Sequence, residues 1–395
     1  MYALVFEGGG AKGSYQVGAC KAIIEKGIPI SAVTGTSIGS LNGAMIAQGD
    51  FEKLYEIWYD ISPSKVLGID DSFHERIKKL NIQNLFYAFD KTKEILENKG
   101  FNTVLIKKII EDNVDEEKLR KSKVDFGLVT LSLSDGKPLE LFKEEIPKGK
   151  IHEYLMASAN FPAFKQEKID GKVLVDGGFY NNFPIELLVR KGFTDIIAPR
   201  IYGIGRVKKF SEKNLNITYI SPSEELGATL DFSNKIARRN LEMGYFDAKR
   251  VFDKLKGRKF YIESNQGDDY YLHKFLEIDA ESLKEISKKL GFKNKPGKRM
   301  LLERIVPRIC DLLGMENDAD YEDIYLSMAE FVAEQNGVER FRIYDADEFI
   351  GMANDKSVEI NFKDENLPTA KNIAEDVISF FNGNMLLKSI LRHIF

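Results

Sequence analysis

Two stretches near the start of the chain decide the fold: YALVFEGGGAKG at residues 2–13 and GTSIG at residues 35–39. In the first, a short apolar run enters a glycine-rich loop, and a helical pattern follows from about Ser14 to Lys26. In the second, a strand pattern at 30–34 enters the GTSIG turn, and a second helical pattern follows at 38–48. Strands that alternate with helices in this way predict a parallel α/β sheet with helices on its faces.

The length of the chain, 395 residues, favours a domain plus an addition over one compact unit. Strand patterns continue to about residue 220, and they include a predicted hairpin at 124–142. The composition changes after about residue 256, and helical periodicity dominates residues 275–395. We therefore expect an α/β catalytic domain at 1–255 and a mainly α-helical C-terminal extension of unknown role at 256–395.

Composition excludes several classes of protein. Hydrophobic residues make up 43% of the chain and the formal net charge is −4, which does not fit a nucleic-acid-binding protein. The two cysteines, Cys20 and Cys310, form no disulfide framework and no zinc motif, so a reducing compartment and no metal are expected. We find no secretory leader pattern and no run of about 20 apolar residues. The expectation is a cytoplasmic protein whose contact with a membrane, if it has one, is peripheral.

The Gly-Thr-Ser-Ile-Gly turn has the pattern of a nucleophile elbow, in which a serine lies on a strained bend between a strand and a helix. Glycines at 35 and 39 remove the Cβ atoms that would clash in so sharp a turn. A chance glycine-rich turn remains the alternative for the motif alone. The flanking strand and helix patterns favour Ser37 as a nucleophile.

The glycine-rich loop can direct backbone N–H groups at one anion, and the following helix adds its dipole. This arrangement suits a tetrahedral oxyanion, where each preorganised donor contributes roughly 3 kcal/mol. The predicted oxyanion hole comprises Gly8, Gly9, Gly10, Ala11, Lys12 and Gly13. The same loop also matches the dinucleotide fingerprint Gly-x-Gly-x-x-Gly, but that motif requires an acidic residue after the second strand, and none follows here.

The candidate base is Asp176, which ends a strand pattern and is followed by Gly177 and Gly178. An α/β sheet places catalytic groups at the carboxyl ends of its strands, although an ordinary Asp-Gly turn would have the same sequence. A triad of Ser37, Asp176 and His273 fits the chain order of an α/β-hydrolase. His273 nevertheless lies in a charged, tyrosine-rich stretch with no strand before it. A Ser–Asp dyad is therefore the better interpretation, with burial raising the pKa of Asp176 toward neutrality.

Four ordered blocks resemble the patatin-like phospholipases of bacterial type: GGGAKG at 8–13, GTSIG at 35–39, ASANFPAF at 157–164 and DGG at 176–178. The resemblance covers roughly residues 2–250 and implies a three-layer α/β/α domain with a mostly parallel central sheet. It also implies Ser37 as nucleophile, Asp176 as base, the 8–13 loop as oxyanion hole, and lipid acyl hydrolysis without calcium or another cofactor. The family more often has arginine where Lys12 stands.

Three functional hypotheses follow. The leading one is a serine lipid acyl hydrolase of phospholipase A or lysophospholipase type that forms a covalent acyl-enzyme from a lipid or phospholipid ester. The others are a dinucleotide-binding oxidoreductase that uses the Gly8–Gly13 loop, and a non-catalytic lipid-binding protein on the same scaffold. The sequence leaves the headgroup, the acyl position and the oligomeric state open.

Two further segments have a bearing on membrane contact. The amphipathic stretch at 385–395 favours a helix docked on the protein core over one lying in a membrane interface. The basic stretch at 284–308 favours a solvated helical face over a site for anionic headgroups.

Overall fold

The computed structural model describes residues 1–68, 103–160, 168–169, 171–293, 296–316, 318–354, 386–391 and 393–394. The chain divides into two compact units, Met1–Val251 and Phe252–Phe395. Among the described residues no helix is both long enough and apolar enough to cross a membrane.

The first unit is built on one large sheet. Its strands are β1 (Tyr2–Phe6), β2 (Ile30–Thr36), β3 (Asp125–Ser132), β4 (Lys137–Phe142), β5 (Lys168–Ile169), β6 (Lys172–Asp176), β7 (Asp195–Pro199) and β8 (Asn216–Ile220). The strand order is β5-β6-β3-β2-β1-β7-β8, and β4 also pairs with β3. The run from β3 to β8 is parallel, whereas β4, β5 and β6 pair antiparallel. The predicted mostly parallel sheet and the predicted β3–β4 hairpin are therefore confirmed.

Helices cover both faces of this sheet. They are α1 (Gly13–Glu25), α2 (Ile38–Ala47), α3 (Phe51–Tyr59), α4 (Pro63–Leu67), α5 (Thr103–Asn113), α6 (Glu116–Lys121), α7 (Ile151–Ser158), α8 (Ile185–Arg190) and α9 (Asn234–Asp253). Because side chains alternate along a strand, Ala3 and Val5 of β1 pack with α8 on one face. Phe126 and Leu128 of β3 pack with residues of α2 and α3 on the other face. The result is the expected three-layer α/β/α architecture.

The second unit is mainly helical in its described part. Its helices are α10 (Asp268–Leu276), α11 (Ala280–Lys289), α12 (Lys298–Met300), a π-helical stretch (Leu301–Ile305), α13 (Val306–Leu313), α14 (Tyr321–Gln335), α15 (Ala346–Asn354) and a last helix at 386–391. Two short parallel strands, β9 (Tyr261–Glu263) and β10 (Ile343–Asp345), were not predicted.

The last helix contributes to the core of the second unit. Leu387, Ile390 and Leu391 are almost fully buried in that core. The interpretation of this segment as a docked helix is therefore confirmed for its described residues, while residues 385, 392 and 395 lie outside them.

Candidate functional site

Ser37 occupies the bend between β2 and α2. Its backbone has φ +54° and ψ −127°, a conformation that L-residues rarely adopt. A Cβ atom at position 35 would lie 2.2 Å from the Gly39 carbonyl oxygen, and one at position 39 would lie 2.7 Å from the Glu7 carbonyl oxygen. Gly35 and Gly39 are therefore required by close backbone approach, as an elbow demands.

The strained bend is anchored by a buried hydroxyl from α7. The Ser37 N–H donates to Ser158 Oγ at 3.0 Å, and the Ser158 hydroxyl donates to the Val129 carbonyl oxygen at 2.7 Å. Ser158 thus links the serine on β2 to the neighbouring strand β3. It lies in the predicted 157–164 block, of which residues 161–164 are outside the described part of the chain.

The pairing of the strands places Asp176 next to Ser37. β4 pairs along one edge of β3 over residues 127–132, so β2 and β6 share the other edge, where Thr36 of β2 pairs with Val129 and Asp176 of β6 pairs with Thr130. The ends of β2 and β6 therefore meet at neighbouring residues of β3, which brings Asp176 beside Ser37. β6 runs antiparallel to β3, but it ends opposite Thr130, next to the residue where the parallel strand β2 ends, so Asp176 lies at the carboxyl end of the parallel strand that precedes Ser37.

The environment of Asp176 favours its neutral form. The side chain is buried, and burial raises the pKa of Asp176 from 3.8 to about 6. Two hydrogen bonds oppose this shift by favouring the charged form: Oδ1 accepts from the Gly178 N–H at 2.8 Å, and Ser37 donates to the carboxylate. A carboxyl group with a pKa near 6 can be ionised at neutral pH and still accept a proton readily.

The glycine loop provides fewer candidate oxyanion donors than the sequence predicted. Gly8, Gly9 and Gly10 line the same cavity as Ser37. The Ala11 N–H donates to the Thr229 carbonyl oxygen at 2.8 Å.

The N–H groups of Lys12 and Gly13 donate to the carbonyl oxygens of Gly9 and Gly10, respectively. The N–H groups of Ala11, Lys12 and Gly13 therefore already have backbone acceptors, and Gly8, Gly9 and Gly10 are the remaining candidate donors of the predicted loop. Gly10 itself requires glycine: its φ is +57°, and a Cβ there would lie 2.2 Å from Thr229 O.

A cavity of about 400 Å³ opens at Ser37 and Asp176 and runs along α2. Its polar lining residues are Ser37, Asp176, Asn42, Asn113, Asn182 and Thr229, and apart from these and the glycines its wall is apolar. The apolar lining comprises Ile38, Leu41, Met45, Leu54, Ile57, Trp58, Ile61, Val66, Ile106, Ile109, Ile110, Val114, Phe179, Ile204, Leu230 and Phe232. Neither a histidine nor a metal-binding cluster appears among the described lining residues, and His74 lies outside them.

The comparisons with known proteins bear on this geometry. Residues 4–189, which hold both Ser37 and Asp176, match the family model described as patatin-like phospholipase. The N-terminal part of this chain is a patatin-like phospholipase domain.

Several curated relatives share this domain. Over 49% of its own length, the chain is 26% identical to neuropathy target esterase sws of Drosophila melanogaster. It is 27% identical to lysophospholipase NTE1 of Mycosarcoma maydis over 51% and to patatin-like phospholipase domain-containing protein 7 of Mus musculus over 50%. The matches cover 12%, 10% and 13% of those proteins, respectively, so the chain spans only about a tenth of their length.

Two solved structures are also similar. VipD from Legionella pneumophila matches with a TM-score of 0.42 at 16% identity, covering 99% of this chain and 88% of VipD. The ExoU–SpcU complex of the Pseudomonas aeruginosa type III secretion system matches with a TM-score of 0.33 at 15% identity, covering 86% of this chain and 76% of that one.

The patatin-like domain has a second buried carboxylate that the sequence analysis missed. Glu7 follows β1, and its carboxylate accepts hydrogen bonds from Arg200 at 2.7 and 2.9 Å and from the N–H groups of Ile201 and Tyr202 at 2.7 and 2.9 Å. These bonds fasten the glycine loop to the chain that follows β7.

Asn182 was missed as well. Its side-chain amide donates to Gly8 O at 3.0 Å and to Gly203 O at 3.3 Å, and its backbone N–H donates to Arg206 O at 2.7 Å. Asn182 therefore joins three loops around the cavity. Its only sequence signal was its position six residues after Asp176 in the FYNN run.

Proposed function

We propose that this chain is a serine lipid acyl hydrolase of phospholipase A or lysophospholipase type. The observation that carries the proposal is the meeting of Ser37 and Asp176 at the mouth of a deep apolar cavity. The family match and the printed names of the relatives support lipid ester chemistry in general.

The proposed reaction begins when Ser37 Oγ attacks the ester carbonyl carbon while Asp176 takes the hydroxyl proton. The tetrahedral oxyanion accepts hydrogen bonds from N–H groups of Gly8–Gly10. Collapse of this intermediate breaks the bond to the leaving oxygen, which takes the proton from Asp176, and leaves an acyl-Ser37 ester. Water then gives a proton to Asp176 and attacks the acyl carbon. Collapse of this second intermediate breaks the bond to Ser37 Oγ, which takes the proton back from Asp176, and the fatty acid and the free Ser37 hydroxyl result.

The cavity supports an acyl chain as the group that binds beside Ser37. Ile38, Leu41 and Met45 present one side of α2 to the cavity. Eight residues of helix separate Ser37 from Met45, which is a rise of about 12 Å. Burying each methylene of an acyl chain in such a space contributes about 0.8 kcal/mol. We infer that chain length is measured along α2.

A lipid-panel assay tests the proposal. Purified wild type and Ser37→Ala are incubated with phospholipid, lysophospholipid and neutral ester substrates, and free fatty acid is measured alongside fluorophosphonate labelling. Wild type should release fatty acid and be labelled, whereas Ser37→Ala should do neither. Ser282→Ala, which removes an exposed-helix hydroxyl in the second unit, is the matched control and should behave as wild type.

Two outcomes would overturn parts of the proposal. Labelling that survives Ser37→Ala would remove Ser37 as nucleophile. Lipid binding by wild type without fatty-acid release would leave the non-catalytic alternative in its place. Met45→Trp addresses the acyl cavity: it should reduce turnover of long-chain esters while short-chain esters are unaffected.

A further inference from the structure

We propose that the cavity mouth is an interfacial docking surface for bilayers that contain anionic lipid. The surface consists of Phe179 and the mouth loop, which we define as residues 202–209. This inference rests on the proposed function, because it assigns how the same site reaches a lipid substrate.

The rim of the cavity exposes large apolar side chains to solvent. Phe179 and Ile204 both line the cavity, yet 52% and 64% of their surfaces are exposed. Tyr202 and Val207 of the mouth loop are 57% and 45% exposed. An apolar patch that is continuous with a buried apolar cavity indicates an interaction with apolar material rather than with water.

The backbone holds these side chains outward. A Cβ at Gly203 would lie 1.8 Å from Gly8 O, and one at Gly205 would lie 2.7 Å from the Asn182 side chain. The Arg206 N–H donates to Gly178 O at 2.8 Å. The mouth loop is thus fixed to the glycine loop and to the turn after Asp176. A membrane that binds the mouth loop is therefore held at a fixed position relative to Ser37 and Asp176.

The mouth loop is also basic. Its sequence, YGIGRVKK, carries Arg206, Lys208 and Lys209 and no acidic residue, in a chain whose formal net charge is −4. Lys208 lies 3.7 Å from Glu186 and 3.9 Å from Glu140. Arg206 and Lys209 are exposed and have no ion-pair partner among the residues that the structure describes.

Exposed apolar residues flanked by unpaired cations fit the interface of an anionic bilayer. The apolar side chains enter the boundary between headgroups and acyl chains, while the cations remain with the phosphates. The continuity of the rim with the cavity favours lipid over a protein partner, because a lipid acyl chain passes from this interface to Ser37 without crossing water.

Vesicle co-sedimentation tests the proposal with the full chain carrying Ser37→Ala, so that no lipid is consumed. The vesicles are phosphatidylcholine alone, or equal parts of phosphatidylcholine and phosphatidylserine. We expect binding to the anionic vesicles that weakens with added salt. Lys209→Gln should lower the partition coefficient about fivefold, and Val207→Ser should lower it about tenfold.

Two matched variants control for the chemistry of the substitutions. Ile24→Ser removes an exposed apolar residue near the end of α1, and Lys148→Gln removes an exposed cation that follows β4. Both should bind as the parent does. With Ser37 restored, Val207→Ser and Lys209→Gln should keep full turnover of a soluble short-chain ester and lose turnover of vesicle lipid by similar factors.

Three results would overturn the docking surface. The first is that the rim variants bind vesicles as well as the control variants do. The second is that the protein binds neutral and anionic vesicles equally and without salt dependence. The third is that the protein forms a dimer which Val207→Ser dissociates while vesicle binding stays unchanged. If instead the proposed function is wrong, the protein will bind vesicles through the rim but will not hydrolyse the soluble ester.

Discussion

Replacing Asp176 with asparagine is expected to stabilise the first unit while abolishing turnover. Asparagine keeps the shape of the side chain and the Oδ1 acceptor for the Gly178 N–H, which lies 2.8 Å away. It removes the charge and replaces the second carboxylate oxygen with an amide NH2, which donates rather than accepts a hydrogen bond. Burial raises the pKa of Asp176 from 3.8 to about 6, so the folded state disfavours the ionised carboxylate.

The size of the effect follows from the pKa shift. A shift of about two units corresponds to about 3 kcal/mol, because each unit is about 1.4 kcal/mol. Because the folded-state pKa is raised, the carboxyl group does not destabilise the folded state at pH values below its unfolded pKa. The destabilisation grows as pH rises from the unfolded pKa through the folded pKa. The destabilisation caused by ionised Asp176 is therefore small near pH 4 and close to its full size by about pH 7. The asparagine variant should gain less than about 1 kcal/mol near pH 4 and up to about 3 kcal/mol at pH 7.5.

Urea unfolding followed by tryptophan fluorescence measures this difference. The chain has one tryptophan, Trp58, which is buried in the first unit and reports on that unit directly. Asp112→Asn, which changes an exposed carboxylate on α5, is the matched control and should shift stability by less than about 0.5 kcal/mol. The reasoning is refuted if Asp176→Asn is less stable than wild type at pH 7.5, or if its gain is the same at both pH values.

Three other predictions concern the same site. With a soluble ester, kcat/KM should rise about tenfold per pH unit below pH 6 and level off above it, because only ionised Asp176 accepts the Ser37 proton; a midpoint near pH 4 would contradict this. Ser158→Ala should cost about 1–3 kcal/mol in a urea titration, because it leaves two buried backbone groups unpaired, and fluorophosphonate labelling should slow with it. Unchanged labelling would show that the Ser158 hydroxyl does not position Ser37. Glu7→Gln should destabilise by about 3–5 kcal/mol in the same titration, because the partly buried Arg200 loses its charge partner; a loss below 1 kcal/mol would contradict that role.

The parts of the site that could be predicted from sequence are the residues that belong to short sequence motifs. An elbow needs glycines two positions either side of its serine because the clashes it avoids are local, and the close approaches at Gly35 and Gly39 follow that rule. The alternation of strands and helices near the start of the chain was equally local. These features required no knowledge of which distant segments meet.

The rest depends on partners far away in the chain. Ser158 lies 121 residues from the Ser37 N–H that it accepts from, and Asn182 lies 174 residues from Gly8. The acceptor of the Ala11 N–H is Thr229, and no motif in the sequence connects Thr229 to the glycine loop. Likewise, β9 and β10 have three residues each, and so few residues cannot show the alternation of apolar and polar side chains that predicts a strand.

Glu7 and Asp176 show why position in a motif does not determine chemistry. Each follows an apolar strand and precedes two glycines, so the sequence presents them alike. Glu7 accepts four hydrogen bonds, two of them from a guanidinium, and its oxygens are fully engaged in holding two loops together. Asp176 accepts from one backbone N–H and from Ser37, with no cation bound to it among the described residues, and burial keeps its pKa near 6. Burial with few donors favours the protonated form of a carboxyl group, and this is the position of Asp176. Under the proposed function, the same acid-Gly-Gly pattern serves once for structure and once for proton transfer, and charge removal at the two positions should change stability in opposite directions.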